Sequence, residues 1–419
     1  MKVDLDRLRS DLVANAEFGG FNLEEGRGRT VLTGSDADLA ARERLVDSLV
    51  ATGMTVSVDP VGNISGRWIP EGVDPDTAPV AMGSHLDSVP RGGIFDGPLG
   101  VYGALEAVRV IQSAGVNLDR PLEVVSFTEE EGGRFGIGTL GSSVATGSYS
   151  VSDALALKDD EGYTLAERLE GIDFDGDDRI DPSTWDAWLE LHIEQGNRLE
   201  SAEAAVGIVD AITGITNCTV EIFGEADHAG ATPMDDRADA LVAAGEFVQA
   251  VEEITSDVAA DYPTAVASVG RHTVEPNVRN SIPGHVEMEM DIRDVTHETM
   301  NRLVNRFRSR LERISQNRPV DVRFNQFRDD APSHMSDRCI NAALDAVTRC
   351  DIDAVQFHSA VMHDTANISQ VTESGLLFAP SKDGISHNPK EWTNWSDCAT
   401  ATRALAETAA RLAGGNSEC

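Results

Sequence analysis

Short apolar runs alternate with helical patterns in the first third of the chain. Residues 37–51 have helical spacing, and the alternating run MTVSVD follows them. The apolar run PVAMGSH, a helix after Leu99 and the apolar run PLEVVSFT come next. Short buried strands between longer helices predict an α/β layered sheet with helices on both faces and with chemistry at the strand ends.

From about residue 213 the pattern changes. The order of elements is strand, helix, strand, strand, helix, strand, and the two helices begin near Asp235 and Thr296. This is the split βαβ order of a ferredoxin-like α+β domain. Helical patterns near 336–348 and 395–412 then resume the first alternation. We therefore predict one domain in two parts, residues 1–212 and 330–419, interrupted by a smaller domain of residues 213–329.

The charge is strongly negative. The 419 residues include 71 acidic and 34 basic side chains, which gives a formal net charge of -37. A surface of this sign repels phosphate backbones and anionic headgroups, so nucleic acid and membranes are not expected partners. Because the acidic residues are spread along the chain and only four of the basic ones are Lys, we interpret the charge as a halophilic adaptation to a salt-rich cytosol.

The cysteines and the N-terminal segment indicate an intracellular protein. Five cysteines stand far apart without a C-x-x-C pair, so we expect reduced thiols; they are Cys218, Cys339, Cys350, Cys398 and Cys419. The N-terminal segment has leucines at helical spacing amid charges, unlike a signal peptide, and no apolar stretch reaches membrane-spanning length. The expected location is the cytoplasm.

Two acidic residues and a histidine precede the predicted helix that follows Leu99. His85 and Asp87 lie two apart at the end of PVAMGSH, where both side chains leave the same face of a strand. The imidazole can bind a metal while the carboxylate orients it, although a turn with a hydrogen-bonded histidine is the alternative. Asp96 sits in GGIFDGPLG, where it would bridge two cations or cap the helix. A phosphate-binding loop is disfavoured, because the segment lacks the lysine and the glycine spacing of a P-loop.

Three adjacent carboxylates, Glu129, Glu130 and Glu131, directly follow the apolar run PLEVVSFT. Their desolvation and mutual repulsion are costly unless cations or solvent relieve them. Metal binding with a base of raised pKa is one interpretation, and a solvent-facing acidic turn is the other. Together with His192 in LELHIEQG and His387 in GISHNPKEW, these groups form a nitrogen and oxygen inventory that suits two ions of zinc, manganese, cobalt or nickel.

At these motifs the sequence resembles the amidase, hydantoinase and carbamoylase family of the dimetal aminoacylase and carboxypeptidase clan. The segments that carry the resemblance, in order, are GSHLDS, GGIFDGPLG, TEEEGGRF, LHIEQG, DHAGATPM, NSIPG and GISHNPKEWT. The family includes N-carbamoyl-L-amino acid hydrolases, allantoate amidohydrolases and β-ureidopropionases. The resemblance implies a mixed-sheet, metallopeptidase-like catalytic domain and an inserted lid and dimerisation domain.

The resemblance also implies a role for each matching residue. One metal would be held by His85, Asp96 and His192, and the other by Asp96, Glu131 and His387, with Asp96 bridging. Glu130 would be the catalytic base. Asp87 would be the carboxylate that supports the ligands.

Further roles would fall to the inserted domain and to one glutamine. His228 would polarise the scissile carbonyl and, as in the family, would reach the active site of the partner subunit of a homodimer. Asn280, Arg293 and Gln195 would grip the substrate carboxylate, for which a guanidinium fork is suited.

One segment departs from the family pattern. The family often has SGAGHDA where this chain has SAVMHDTANI, which retains His363 and Asp364 but not the preceding glycines. The departure bears on pocket shape and substrate identity. His363 is equally consistent with an interior hydrogen-bonded histidine.

The function that the resemblance implies is metal-dependent cleavage of the ureido bond of an N-carbamoyl-L-amino acid. Allantoate, β-ureidopropionate, and peptide or acyl amino acid substrates are the enzymatic alternatives. A catalytically inactive metal-binding relative is the alternative from another class, and the presence of Glu130 beside all five ligand candidates argues against it.

Overall fold

A computed structural model describes residues 1–24 and 26–415 of the chain. Cys419 lies outside the described residues. Cys218, Cys339 and Cys398 are free and buried, as expected. Cys350 is disulfide-bonded, so the expectation of a reduced thiol is wrong at that position.

The helices are named in chain order. They are α1 (Leu5–Asn15), α2 (Asp36–Ala51), α3 (Pro98–Ala114), α4 (Leu140–Ala145), α5 (Val151–Leu155), α6 (Leu165–Glu170), α7 (Arg198–Ala202), α8 (Ala240–Ala259), α9 (His297–Asn317), α10 (Asp337–Arg349), α11 (Asp364–Ile368) and α12 (Trp395–Leu412).

The strands are named in the same way. They are β1 (Gly20–Leu23), β2 (Gly26–Arg29), β3 (Thr55–Val58), β4 (Ile64–Trp68), β5 (Val80–His85), β6 (Leu122–Phe127), β7 (Ala187–Ile193), β8 (Val206–Ile212), β9 (Gly214–Phe223), β10 (Asp227–His228), β11 (Val266–Glu275), β12 (Ser281–Ile282), β13 (His285–Asp294), β14 (Asp321–Asp330), β15 (Ser333–His334), β16 (Ala354–Ser359) and β17 (Ser374–Ala379).

The described chain divides into two compact units. One is Met1–Asp210 together with the chain from His334 onward, and the other is Ala211–Ser333. These limits differ by a few residues from the predicted ones, and the predicted domain boundaries stay a prediction.

A mixed sheet is the centre of the first unit. Its strand order is β15-β8-β17-β7-β5-β6-β4-β3, with β16 paired to β8. The strands β5, β6, β7 and β17 are buried along their whole length, as apolar strands covered on both faces must be. The pairs β5–β6, β5–β7 and β7–β17 are parallel, so these four strands end at one edge of the sheet.

Helices cover both faces of this sheet. On one face α3 and α12 pack against each other and against β5 and β7, in a core that also includes α1, α2 and α10. On the other face α4 and α11 contact the sheet beside Trp188. The helix α3 is apolar nearly all round, which explains why it is the most deeply buried helix of this unit.

The second unit is a four-stranded antiparallel sheet with two helices. The strand order is β11-β13-β9-β14, and α8 and α9 pack on it. Alternate residues of β13 are buried, which is the period-two pattern of a half-covered sheet. The chain order of strands and helices is the predicted split βαβ order, so the fold class is confirmed in both units.

One predicted boundary is wrong. The helix expected from Asp235 begins at Ala240, because the Asp239 side chain accepts the backbone N–H groups of Leu241 and Val242 as an N-cap. Residues 234–236 form a separate 3-10 turn. Among the described helices, none combines the length and apolar character needed to cross a membrane.

Candidate metal centre

Five of the predicted ligands lie together in the first unit. His85, Asp96 and His192 form one group, and Asp96, Glu131 and His387 form another. In each group the potential ligand atoms lie within 4.8 Å of one another. Asp96 therefore belongs to both groups, which is the arrangement required of a bridging carboxylate.

The strand order explains why residues so far apart in sequence converge. His85 ends β5, His192 lies near the end of β7, and Glu131 follows β6. These strands are parallel neighbours, so their carboxyl ends meet at one edge of the sheet. Asp96 reaches the same edge from the loop that precedes α3.

The distances in the first group fit a cation. The Nε2 atoms of His85 and His192 lie 3.5 Å and 3.3 Å from Oδ1 of Asp96. Two ligand atoms at roughly 2.0–2.1 Å from a tetrahedral ion would stand about 3.3 Å apart. His85 Nε2 is also buried without a hydrogen-bond partner among the described residues, so the site fits a metal ion.

The other nitrogen of each imidazole contacts a backbone carbonyl. Nδ1 of His85 lies 3.2 Å from the carbonyl oxygen of Asp87, and Nδ1 of His192 lies 3.0 Å from that of Ile193. A proton on Nδ1 in each ring leaves Nε2 free to bind a metal, which is how outer hydrogen bonds set the tautomer of a metal-binding histidine.

Asp87 supports the loop that carries Glu130 and Glu131. Its two carboxylate oxygens accept the backbone N–H groups of Glu130 and Glu131, each at 3.1 Å. Its Oδ1 also lies 3.5 Å from Nδ1 of His85. Asp87 thus connects the end of β5 to the loop after β6.

Glu130 lies beside the first ligand group. Its Oε2 is 3.6 Å from Nε2 of His85. Burial raises the pKa of the Glu130 carboxyl well above its ordinary value, while His85 opposes the shift. A carboxyl of raised pKa can accept and return a proton near neutral pH.

Glu129, the first of the three glutamates, has a different position. Its Oε1 accepts the backbone N–H groups of Arg134 and Phe135, each at 2.7 Å, and its Oε2 accepts the Thr33 hydroxyl at 2.5 Å. It therefore shapes the GGRF loop. The three carboxylates are not equivalent, and the acidic turn is not simply solvent-facing.

The second ligand group is more open than the first. The His387 side chain is 46% exposed, and its Nε2 lies 3.2 Å from Oε2 of Glu131 and 3.6 Å from Oδ2 of Asp96. The hydrogen bond with Glu131 raises the pKa of His387 to about 9. The Gln195 amide and the Ser386 hydroxyl both donate to Oδ2 of Asp96, at 3.0 Å and 2.8 Å.

His363 and Asp364 are buried beneath the first group. The His363 ring packs against that of His192 with 4.7 Å between the ring centroids, and its Nε2 lies 3.2 Å from the Ser359 hydroxyl. Asp364 accepts the Ser142 hydroxyl at 2.6 Å. These contacts agree with the interpretation of His363 as an interior hydrogen-bonded histidine.

The remaining predicted residues belong to the second unit. Pairing of β10 with β12 brings His228 opposite Ser281, and the N–H of Ala229 donates to the carbonyl of Asn280. The side chain of Arg293 donates to the carboxylate of Asp291. Nδ1 of His228 accepts the N–H groups of Gly230 and Ala231, so the neutral ring carries its proton on Nε2.

Two buried residues near the ligands were not singled out in the sequence. Glu391 accepts the backbone N–H groups of Phe95 and Asp96, and Arg29 donates to the carbonyls of Leu86 and Asp87. Glu391 lies in the motif GISHNPKEWT, and this position near His387 was the only feature of the sequence that could have indicated its place beside the ligands. Arg29 stands in an N-terminal hairpin for which no chemistry was expected.

Comparison with known proteins identifies the family. Residues 81–411 match the model of peptidase family M20/M25/M40. The chain is similar to an N-carbamoyl-L-amino acid amidohydrolase of Geobacillus stearothermophilus, with 36% identity over 404 residues that cover 95% of this chain and 97% of the relative. It is also similar to a ureidoglycolate hydrolase of Arabidopsis thaliana, with 34% identity over 388 residues, which are 90% of this chain and 81% of the relative.

The fold has a counterpart among solved structures. A hydantoinase/carbamoylase family amidase from Burkholderia multivorans superposes with a TM-score of 0.91 and 34% identity, and covers 99% of this chain and 98% of its own. The family model, the relatives and the solved structure all indicate the same family. The chain therefore belongs to the hydantoinase/carbamoylase amidases of the M20/M25/M40 peptidase family, whose site binds two metal ions, and it is an amidohydrolase.

Proposed function

We propose that this enzyme hydrolyses the ureido bond of N-carbamoyl-L-amino acids. The observation that carries the proposal is the pair of ligand groups that share Asp96, with Glu130 beside them. The similarity to the Geobacillus stearothermophilus amidohydrolase supports this substrate class. Small ureides such as ureidoglycolate are the second candidate, favoured by the similarity to the Arabidopsis thaliana enzyme.

The metal ions are proposed to be zinc, manganese, cobalt or nickel. The donor atoms are imidazole nitrogens and carboxylate oxygens, which suit these ions. When bound, the two ions make water more acidic and polarise the carbonyl oxygen.

Glu130 is the proposed base. It takes a proton from the water that attacks the ureido carbonyl and returns it to the leaving nitrogen. The bond between the carbonyl carbon and the amino acid nitrogen breaks, which gives the free L-amino acid and carbamate. Carbamate then decomposes to carbon dioxide and ammonia. The position of Glu130 beside the first ligand group suits both proton transfers.

His228 is proposed to stabilise the negative charge that develops on the carbonyl oxygen. Its Nδ1 is occupied by two backbone N–H groups, so Nε2–H is available as a donor. One preorganised donor of this kind is worth about 3–4 kcal/mol in the transition state. Asn280, Arg293 and Gln195 are proposed to bind the substrate carboxylate.

The inserted unit is proposed to form the dimer contact, as the family resemblance implies. His228 of one copy then completes the active site of the other copy. The substrate-binding and dimer assignments are independent of the metal identity.

A substrate panel tests the proposal. N-carbamoyl-L-amino acids, their D-enantiomers, ureidoglycolate, allantoate, β-ureidopropionate and dipeptides are compared by kcat/KM with manganese, cobalt or zinc. We expect the highest values for N-carbamoyl-L-amino acids. A higher value for ureidoglycolate or for dipeptides would refute the proposed substrate class.

A further inference from the structure

Glu391 is a buried carboxyl side chain that contacts the backbone of Asp96, the proposed bridging ligand. Glu391 is only 2% exposed. Its Oε1 accepts the backbone N–H groups of Phe95 at 2.9 Å and of Asp96 at 3.1 Å. A Cβ atom on Gly93 would lie 2.1 Å from this oxygen. The loop before α3 is therefore in direct contact with the carboxylate, and a side chain at position 93 would displace one of them.

Arg29 contacts the other end of the same loop. It is fully buried, and its Nη2 donates to the carbonyl oxygens of Leu86 at 2.9 Å and Asp87 at 3.1 Å. Its backbone N–H donates to the carbonyl of Gly92 at 3.1 Å. The loop between His85 and Asp96 is thus held at its beginning by Arg29 and at its end by Glu391.

Burial of these two side chains lowers the stability of the fold. Nε and Nη1 of Arg29 and Oε2 of Glu391 have no hydrogen-bond partner among the described residues. Buried polar or charged groups with unsatisfied atoms destabilise a protein relative to apolar side chains of similar volume. Their presence beside the ligand groups calls for a role other than stability.

Electrostatics favours the same role. Burial lowers the pKa of Arg29, and the carboxylates of Asp87, Glu391, Asp96 and Glu131 act in the opposite direction. A guanidinium remains protonated in proteins. Arg29 therefore places one fixed positive charge among these carboxylates and reduces their mutual repulsion.

We propose that Arg29 and Glu391 are positioning residues, which hold the loop of residues 86–96 so that His85 and Asp96 keep the separation needed to bind two metal ions. The inference rests on the proposed metal ligands, but not on the identity of the substrate. Residues that act on ligands in this way typically change metal affinity or activity by about 10–100-fold when substituted.

The test uses six variants of the full chain, of which four are compared first. Glu391→Gln and Arg29→Met keep approximate shape; the first removes the ionisable carboxyl group and the second removes the positive charge. Glu106→Gln and Arg109→Met are matched controls: Glu106 is a buried carboxylate that binds Arg7 and the N–H of Asp4, and Arg109 pairs with Asp11. Thermal melting reports folding, and titration of Co²⁺ into chelator-treated protein reports metal affinity and the visible spectrum of the bound ion.

Glu391→Gln and Arg29→Met are expected to bind Co²⁺ about 10–100-fold more weakly, with an altered visible spectrum. The control variants are expected to melt at lower temperature and to bind Co²⁺ as the unsubstituted protein does. Arg29→Lys, which keeps the charge but loses the planar fork, is expected to recover part of the affinity.

Glu391→Asp provides a second variant at that position, because it keeps the carboxyl group and withdraws it from the two N–H groups. If the variants at Glu391 and Arg29 fold and their Co²⁺ affinity and visible spectrum are unchanged, the proposal is overturned. A result that contradicts the carbamoyl substrate would leave this metal titration unaffected, so the two failures are distinguishable.

Discussion

The three adjacent glutamates of the TEEEGGRF segment differ in what their carboxyl groups contact. Glu129 binds backbone N–H groups, Glu130 faces His85, and Glu131 faces His387. The left-handed backbone of Glu129, with φ at 56°, turns the chain so that these neighbours point in different directions. Adjacent residues of one type therefore make three different sets of contacts.

The substitution Glu130→Gln tests the base at this scale. The amide has nearly the same shape as the carboxyl but cannot take a proton, and Glu130 is not in either ligand group. We expect the variant to retain its metal ions and to lose about 10²–10⁴-fold in kcat. Metal content by elemental analysis and steady-state kinetics are the measurements, and full activity with bound metal would refute the base assignment.

The sequence predicted which ligand candidates converge but not what surrounds them. Strand ends and flanking glycines singled out His85, Asp96 and the three glutamates. The family resemblance then implied the ligand set, which is His85, Asp96, Glu131, His192 and His387. Glu391 and Arg29 depend on contacts between segments 296 and 57 residues apart. Such contacts leave no periodic pattern in a single sequence.

At the scale of elements, strand pairing explains more of the site than helix formation does. The parallel strands β5, β6 and β7 were predictable in part: apolar runs indicated β5 and β6, whereas β7 was noticed only for its histidine. The β1–β2 hairpin was not predicted, because its sequence is polar and glycine-rich. Its Arg27 N–H donates to the carbonyl of Pro389, a contact that sequence periodicity cannot indicate.

Gly97→Ala tests the junction between the metal site and α3. Gly97 has φ at 80°, and an added Cβ would lie 2.5 Å from Cε1 of His85. We expect the methyl group to displace the imidazole and weaken metal binding, in addition to reducing stability. Isothermal titration with Mn²⁺ and thermal melting measure the two effects.

Gly115→Ala is the matched control, at the other end of the same helix. Gly115 has φ at 62°, and nothing lies within 4 Å of an added Cβ. This variant should lose about 1–2 kcal/mol from backbone strain alone and keep its metal affinity. Equal metal affinity in both alanine variants would contradict the assignment of His85 as a ligand.

For the whole molecule, the acidic surface predicts a dependence on salt. A net charge of -37 produces self-repulsion that mobile ions screen. We expect the melting temperature to rise between dilute buffer and molar KCl. A melting temperature that stays constant or falls would refute the halophilic interpretation.

Mixed dimers test whether His228 acts across subunits. Glu130→Gln and His228→Ala chains, each inactive alone, are unfolded together and reassembled in equal amounts. If His228 serves the partner subunit's site, each mixed dimer has one complete site, and about a quarter of the original activity returns. Return of no activity, with mixed dimers demonstrated by mass spectrometry, would place the histidine in its own subunit's site or remove it from the mechanism.

The central claim is that five side chains from distant parts of the sequence hold two neighbouring divalent ions. Crystals grown with Mn²⁺ and measured at its absorption edge test this most directly. The anomalous map should contain one peak among His85, Asp96 and His192 and a second among Asp96, Glu131 and His387. Peaks located elsewhere, or a single peak that does not contact Asp96, would contradict the account.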